Sequence, residues 1–242
     1  MKIESFPRKL FLFRNNLCMF AQTQNELHNM KHMSILAVSL LALVACTPEK
    51  KQEADYSQYV NPMIGTDFTG NTYPGAQVPF GMVQLSPDNG LPGWDRISGY
   101  FYPDTTIAGF SHTHLSGTGA GDLYDISFMP VTRPYKEAPA PLGIYSTFSH
   151  NDEAASAGYY RVLLKDYNIN VELTATERCG IQRYTFPEAE ASVFLNLKKA
   201  MNWDFTLDSK IEVVDSTTIR GYRLSQGWSP LQHVYFETRF SK

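Results

Sequence analysis

The sequence has 242 residues, of which 43% are hydrophobic and 19% charged, and its formal net charge is −3. This length predicts one domain, or two at most, with enough apolar residues to bury a sizeable core. Because nucleic-acid-binding proteins normally show clustered basic residues, the mildly acidic balance argues against a nucleic-acid partner. Aromatic residues reach 13%, a composition typical of β-strands and of surfaces that stack on flat ligands.

The first predicted element is an export signal that begins at Met30. A short positive start precedes an apolar run, SILAVSLLALVA, that is too short to span a bilayer as a helix. Its end, LVAC, resembles the lipobox of bacterial lipoproteins, in which the cysteine is acylated and becomes the new N-terminus. The alternative is a buried apolar helix with an incidental cysteine. A polar tether follows at once, which favours a lipid anchor at Cys46 and attachment to a membrane.

These signals divide the chain into four expected parts. Residues 1–29 have no clear periodicity and are expected to be an upstream mis-start, and residues 30–46 are the lipoprotein signal peptide. Residues 47–57 are a polar linker, and residues 58–242 form the folded domain. The expected location is the cell envelope of a Gram-negative bacterium, on its periplasmic face or outer surface. Cys179 would remain as a single thiol, which makes no disulfide framework.

Residues 58–242 predict an all-β fold, an antiparallel β-sandwich. Short runs rich in Val, Ile, Tyr, Phe and Thr alternate with turn signals such as PDNGLPGW and HNDEAASAG, and no stretch shows a long amphipathic helix. In VELTATERCGIQRYTF, Val171 and Leu173 share one face. The apolar positions change parity after Gly180, which predicts a glycine-marked bulge.

The segments TTIRGYRLSQGW and HVYFETRF predict a closing hairpin, with Val234, Phe236 and Phe240 on one face of its second strand. The sequence stops where a core strand is expected to end. We therefore expect the sandwich to be incomplete at its C-terminus and the chain to be a fragment.

The segment GFSHTHLSGTGAG raises the first question about function. Spacing i, i+2 places His112 and His114 on one face of a strand, and zinc enzymes use such pairs, with Asp122 or Asp125 as a possible third ligand. The alternative, which we favour, is that both histidines hydrogen-bond nearby serines or backbone and hold the loop. The glycines do not form a phosphate-binding fingerprint, because no helix pattern follows them.

A second candidate is the Gly-rich segment that contains Trp94, Asp95 and Arg96. An indole face can stack on the C–H side of a sugar, while a carboxylate and a guanidinium bind its hydroxyl groups. The alternative is a tryptophan that closes one end of the sandwich beside a surface ion pair. These residues alone leave both interpretations open.

Three long segments carry a more specific signal. They read YVNPMIGTDFTGNTYPGAQVPFGMVQLSPD, then SGYFYPDTTIAGFSHTHLSGTG, then SHNDEAASAGYYRVLLKDYNINVELTATERCGIQRYTFP. In this order they resemble the N-terminal domain of glycoside hydrolase family 92, the calcium-dependent exo-acting α-mannosidases of bacteria. The resemblance runs from about Tyr59 to the end of the chain.

The resemblance implies a galactose-mutarotase-like β-sandwich that packs on a C-terminal (α/α)₆ barrel, with the active site at their interface. It implies hydrolysis with inversion, in which one carboxylic acid protonates the leaving oxygen and a carboxylate activates water. Both carboxylates and the calcium-binding core belong to the barrel, which this sequence lacks. We therefore expect no catalytic residue, no metal ligand and no hydrolytic activity in this chain alone.

The resemblance also implies which residues contact mannose-containing glycans. The segment that lines the sugar pocket matches Trp94, Asp95, Tyr100, His112, His114, Ser116 and Gly117. The family often continues SGTG with a cysteine and an acidic-Tyr-Gly-Asp run, whereas this chain has AGDLYDI at residues 120–126. Two functions follow: the substrate-shaping domain of an α-mannosidase, or a free-standing surface lipoprotein that binds mannose-rich glycans without cutting them.

Overall fold

The computed structural model describes residues 54–117, 119–139, 142–199 and 203–241. The predicted signal peptide, the lipobox cysteine and most of the predicted linker lie outside these residues. In the described part of the chain, regular structure is confined to β-strands and three short 3₁₀ helices, at Tyr56–Tyr59, Trp94–Arg96 and His150–Asp152. None of these helices is long or apolar enough to cross a membrane.

Fifteen strands are formed by the described residues. They are β1 (Ser86–Asp88), β2 (Thr106–Ile107), β3 (Gly109–Ser111), β4 (Ser127–Thr132), β5 (Glu137–Ala138), β6 (Gly143–Ile144), β7 (Ser146–Thr147), β8 (Glu153–Ser156), β9 (Tyr159–Leu164), β10 (Ile169–Ala175), β11 (Gly180–Thr185), β12 (Ala191–Asn196), β13 (Phe205–Val213), β14 (Thr218–Gln226) and β15 (Gln232–Arg239).

Three larger sheets contain most of these strands. The middle sheet has the order β1-β3-β4-β12, the outer sheet β11-β10-β9-β8, and the C-terminal sheet β13-β14-β15. Two-stranded pairs, β2-β7 and β5-β6, complete the described pairings. Every pairing is antiparallel, which confirms the predicted all-β class.

The principal core lies between the middle and outer sheets. Along β10, Ile169, Val171 and Leu173 are buried and alternate with less buried residues, as a period-2 pattern requires. They share one cluster with Met129 and Val131 of β4. The predicted inward face of VELTA is therefore confirmed, and burial of this face against a second sheet stabilises the sandwich.

The predicted bulge at Gly180 is wrong. Residues 176–179 form a turn, and β11 pairs with β10 in regular register, Ala175 opposite Gly180 and Val171 opposite Tyr184. In an antiparallel hairpin the two partner numbers have a constant sum, so odd positions on β10 lie opposite even positions on β11. The change of parity that the sequence shows is produced by the turn, with no extra residue in either strand.

The C-terminal sheet covers the other face of the middle sheet. Phe128, which alternates with Met129 on β4, joins a second buried cluster with Ile126 and Leu197. Val234 and Phe236 of β15 pack on this cluster. The predicted closing hairpin is confirmed by the pairing of β14 with β15, and Val234 and Phe236 lie on its more buried face, as expected.

A buried arginine joins the C-terminal sheet to the loop before β4. The Arg223 side chain is 0% exposed, and all five of its N–H donors are used. The acceptors are Asp125 Oδ1 at 2.6 Å, Asp204 Oδ2 at 3.1 Å, Thr206 Oγ1 and the carbonyls of Leu123 and Lys199. This ion-pair cluster fixes the C-terminal sheet to the segment that leads into the middle sheet.

Candidate functional site

The two histidines of the GFSHTHLSGTG segment lie beyond the strand on which they were expected. Strand β3 ends at Ser111, so His112 and His114 do not share a strand face. The His112 ring meets Phe128 edge-on, whereas the His114 ring contacts Tyr73 and Tyr124. The two imidazoles therefore lie in different surroundings.

His114 is fixed by a buried network. Its Nδ1 lies 2.8 Å from the Gln84 carbonyl, and its Nε2 lies 2.9 Å from Asp88 Oδ1 and 3.0 Å from Ser111 Oγ. Both ring nitrogens are therefore engaged by oxygen atoms of the protein. The side chains of both His114 and Asp88 are 0% exposed. His114 therefore has a structural role, in which it connects the segment after β3 to Gln84 and Asp88.

Asp88 carries the negative charge at the centre of this network. Burial by itself raises the pKa of a carboxyl group, but Lys199, His114 and Ser111 outweigh burial and hold the pKa of Asp88 below its usual range. The Lys199 ammonium lies 3.5 Å from Asp88 Oδ2 and donates to the Ala108 carbonyl. Burial lowers the pKa of Lys199, although the Asp88 charge opposes this change. The network thus joins β1 to the end of β12.

His112 makes a single strong ring contact. Its Nδ1 lies 2.7 Å from the Ile126 carbonyl, and its Nε2 lies 3.5 Å from the Gln182 amide nitrogen. Burial lowers the pKa of His112, which favours the neutral ring with the proton on Nδ1. This contact ties the segment after β3 to the residue that precedes β4.

The donor set of this region does not fit a metal ion. Asp125 is bound to Arg223 and Thr113, and Asp122 accepts from two backbone N–H groups and the Gln232 amide. Among the residues that the structure describes, no group of three or more His, Cys, Asp or Glu side chains converges on one point. The favoured interpretation, in which the histidines hydrogen-bond their neighbours, is the one that matches this geometry.

The AGDLYDI segment stores backbone strain. Leu123, Tyr124 and Ile126 have φ values of 85°, 59° and 55°, in a region that non-glycine residues rarely occupy. Such strain persists only where surrounding contacts outweigh it, and it is frequent beside functional sites. Here Asp122 accepts from the Leu123 N–H and the Tyr124 hydroxyl donates to the Ile97 carbonyl at 2.6 Å. The Tyr124 contact therefore links the strained segment to Ile97, the residue after the 3₁₀ helix Trp94–Arg96.

Trp94 is an exposed indole at the edge of this loop. Its side chain is 58% exposed, and a Cβ added to Gly119 would lie 3.1 Å from its ring. Asp95 is partly buried, whereas Arg96 is committed to Asp104 through two hydrogen bonds of 2.6 and 2.5 Å. The guanidinium is therefore engaged inside the protein, and Trp94 and Asp95 remain available to a ligand.

The other predicted site residues divide into exposed and buried ones. Ser116 and Gly117 are exposed, and the Gly117 N–H donates to the Asn71 carbonyl at 2.6 Å. Tyr100 is 0% exposed, and its hydroxyl lies 3.0 Å from both Glu153 oxygens. Burial and the Glu153 charge raise the pKa of Tyr100, so its hydroxyl stays a donor. Tyr100 can thus act on a ligand only through its neighbours.

Sequence analysis did not identify the carboxylate that organises this core. Glu153 also accepts from the Tyr160 hydroxyl at 2.6 Å and lies 2.6 Å from His150 Nδ1. His150 stacks on Tyr102 with ring centroids 3.9 Å apart. The spacing His-x-x-Glu in HNDE is the only local signal for this cluster, and it does not indicate that two distant tyrosines converge there.

One open cleft lies apart from these residues. It has a volume of about 830 Å³ between edge strand β12 and strand β13, and Phe194, Lys198 and Ile211 are among its lining residues. None of the seven predicted site residues lines this cleft. The β13 residues that line it are Ser209, Lys210 and Ile211, and the cleft indicates incomplete packing between two sheets.

Comparisons with known proteins agree with this architecture. A family GH92 α-mannosidase from Bacteroides thetaiotaomicron, solved in complex with mannoimidazole, is 44% identical and superposes with a TM-score of 0.73 over 77% of this chain and 25% of its own. The GH92 family glycosyl hydrolase ccman5 is 27% identical, with a TM-score of 0.62, over 76% of this chain and 26% of that one.

A protein described as an uncharacterized secreted glycosidase, from Arthroderma benhamiae, is 26% identical over 172 residues, which are 67% of this chain and 21% of that protein. The chain thus spans about a quarter of the length of the relatives that it matches. The model of the glycosyl hydrolase family 92 N-terminal domain matches residues 59–242. The chain therefore belongs to glycosyl hydrolase family 92, as part of the N-terminal domain of that family.

Proposed function

We propose that this chain is the glycan-contacting, substrate-shaping domain of an exo-acting, inverting α-mannosidase. The observation that carries the proposal is the exposed Trp94 indole beside Gly119, at the start of a 3₁₀ helix whose following residue, Ile97, is held by the Tyr124 hydroxyl. Family membership, together with a 44% identical α-mannosidase, supports mannose as the sugar. An exposed aromatic face of this kind suits the C–H face of a terminal sugar.

In this proposal the site residues have two roles. Trp94 stacks on the sugar, Asp95 accepts hydrogen bonds from its hydroxyl groups, and Ser116 and Gly117 border the same space. Tyr100, His112 and His114 are positioning residues, because their polar atoms are committed to protein partners behind the loop. Preorganisation of this kind lowers the entropy that binding costs.

Several further features belong to the proposed whole enzyme. Calcium and the (α/α)₆ catalytic domain, which the family resemblance implies, are not assigned to any described residue of this chain. Attachment to the cell envelope through a lipid at Cys46 is likewise proposed, on the lipobox pattern alone. Release of the protein from membranes when Cys46 is replaced by serine would test the anchor.

Replacing Trp94 by alanine is expected to weaken binding of methyl α-mannoside by about tenfold, the loss that corresponds to one aromatic stacking contact. Isothermal titration of the 242-residue protein and its W94A variant measures this difference. Trp203→Ala is a matched control, because Trp203 is also exposed, at 46%, and lies outside the proposed site. Equal affinities of wild type and W94A would remove Trp94 from the site.

The same protein is expected to release no nitrophenol from nitrophenyl α-mannoside. Inversion needs an acid and a base about 6.5–9.5 Å apart across the sugar, and Asp88, Asp122 and Asp125 near the loop are all held by protein donors. Hydrolysis is followed by absorbance, in calcium-containing buffer. Turnover above that of a heat-denatured sample would contradict the proposal that this chain contacts the sugar but does not hydrolyse it.

A further inference from the structure

His150 is a titratable side chain in the short 3₁₀ helix that precedes β8, and both of its ring nitrogens contact protein oxygen atoms. Its Nδ1 lies 2.6 Å from Glu153 Oε2, and its Nε2 lies 2.7 Å from the Tyr102 carbonyl oxygen. The ring also stacks on Tyr102 and meets Phe148 edge-on. Because 29% of the His150 side chain is exposed, water can exchange protons with the ring.

The two ring contacts together need two protons. A carbonyl oxygen cannot donate a hydrogen bond, so the contact with Tyr102 requires a proton on Nε2. A second proton must lie between Nδ1 and the Glu153 carboxyl group, since two lone pairs 2.6 Å apart would repel each other. The hydroxyl groups of Tyr100 and Tyr160 also donate to Glu153, and donors of this kind stabilise a carboxylate anion. The geometry therefore fits a doubly protonated, positively charged His150.

The groups that face His150 from neighbouring elements are carboxylates or neutral hydroxyl groups. Asp67, from the segment before β1, lines the same pocket of about 480 Å³, and Asp152 lies in the same 3₁₀ helix. None of the described residues that line this pocket is a lysine or an arginine. Burial and the Glu153 charge raise the pKa of both tyrosines, so their hydroxyl groups remain donors where histidine titrates. Since carboxyl groups are ordinarily ionised above about pH 6, the proton shared by His150 and Glu153 is the one that pH changes between 6 and 9.

The Tyr102 contact connects this proton to the segment that carries Trp94. Tyr102 lies in a turn in which the Asp104 N–H donates to the Phe101 carbonyl. The Asp104 carboxylate accepts two hydrogen bonds from Arg96, which ends the 3₁₀ helix that begins at Trp94. The same turn is therefore bound both by the imidazole and by the helix that carries the indole.

We propose that His150 and Glu153 form a proton-dependent positioning pair for the Trp94 segment. The proposal rests on the function proposed above, because it describes how pH regulates the same sugar site. With the shared proton present, both ring contacts are made and the turn that contains Tyr102 is fixed. When the proton leaves, the imidazole keeps one proton for two acceptors, so one contact is lost and the turn is held less firmly. Mannoside affinity at Trp94 is therefore higher when the proton is bound, because a preorganised site loses less entropy on binding.

The first test follows Trp94 itself, without a sugar. Replacing the other two tryptophans, both exposed, through Trp203→Phe and Trp228→Phe leaves Trp94 as the only tryptophan of the 242-residue chain. Its fluorescence is expected to change between pH 6 and pH 9. His150→Gln keeps an amide donor but cannot take up a proton, so in that background the change is expected to disappear. His233→Gln is the matched control, because His233 is exposed on β15 and its replacement should leave the change in place.

The second test is isothermal titration of methyl α-mannoside at pH 6 and pH 9. The wild-type protein is expected to bind about fivefold more weakly at pH 9, the low end of coupling between sites, whereas H150Q is expected to bind equally at both. A Trp94 fluorescence change that persists in H150Q overturns the positioning pair, as does the absence of any change with His150 present. Wild-type affinity that is equal at pH 6 and pH 9 overturns the regulation of the sugar site. If the fluorescence behaves as expected and no sugar binds, the proposed function fails while the positioning pair stands.

Discussion

Replacing Arg223 by methionine is expected to lower the free energy of unfolding by about 3–5 kcal/mol. The methionine keeps the length of the side chain but removes the guanidinium, so the buried carboxylates of Asp125 and Asp204 lose their cationic partner. Removal of one partner from a buried ion pair leaves a charge in a medium that solvates it poorly, which costs more than the pair itself contributes. Urea unfolding followed by far-UV circular dichroism measures the change.

Arg220→Met provides the matched control on the same strand. Arg220 pairs with Glu212 at 2.8 Å, but both side chains are largely exposed, so water replaces the lost contact and stability is expected to stay close to wild type. The free energy of unfolding of Arg223→Lys should lie between those of wild type and R223M. An ammonium keeps the positive charge but cannot donate to five acceptors, as the planar guanidinium does. An R223M variant as stable as R220M would show that the buried cluster contributes little.

Arg223 also connects stability to the proposed site. One of its N–H groups donates to the Leu123 carbonyl at 2.9 Å, within the strained segment that precedes β4. Backbone in the left-handed region relaxes when the contacts that hold it are removed. The strained backbone at Leu123 is thus held by the guanidinium of an ion-pair cluster on the C-terminal sheet.

Local patterns were sufficient to predict the all-β class and the inward faces of two strands, β10 and β15. Alternation along β10 and β15 follows from the two-residue repeat of a strand, which requires no knowledge of the partner sheet. The error at Gly180 arose because the segment VELTATERCGIQRYTF contains two strands. The inward-facing positions change from odd to even numbers across the four-residue turn 176–179, and a bulge within one strand would produce the same change. Periodicity alone cannot separate these cases, since pairing register is a property of two strands together.

Sequence analysis proposed the candidate site from short local segments. Trp94 and Asp95 were identified from a short glycine-rich segment, and they remain available in the structure. The partners of the buried residues lie far away in sequence: Asp88 is 26 residues from His114, and Arg223 is 98 residues from Asp125. No spacing rule links such positions, because tertiary packing alone brings them together.

The largest pH-dependent effect is expected at Asp88. Asp88→Asn keeps the size of the side chain and removes its charge, which leaves the buried Lys199 ammonium without an anion and His114 Nε2 facing a neutral amide. At neutral pH this is expected to lower the free energy of unfolding by about 3–5 kcal/mol, as for other broken buried pairs. Glu212→Gln, on an exposed pair, is the control and is expected to behave like wild type.

The difference in the free energy of unfolding between wild type and D88N is expected to become smaller at acidic pH. Lys199 and His114 outweigh burial and hold the pKa of Asp88 below its ordinary value of 3.8, so the folded state binds this proton more weakly than the unfolded state does. The stability that the charge provides is therefore complete above the unfolded pKa and is lost as pH falls through the lower, folded pKa. Urea unfolding at pH 7, 5, 4 and 3 should give a constant gap down to about pH 5 and a shrinking one below about pH 4. A difference that stays constant to pH 3, or one that closes between pH 7 and 5, would mean that the Asp88 charge is not what stabilises its network with His114 and Lys199.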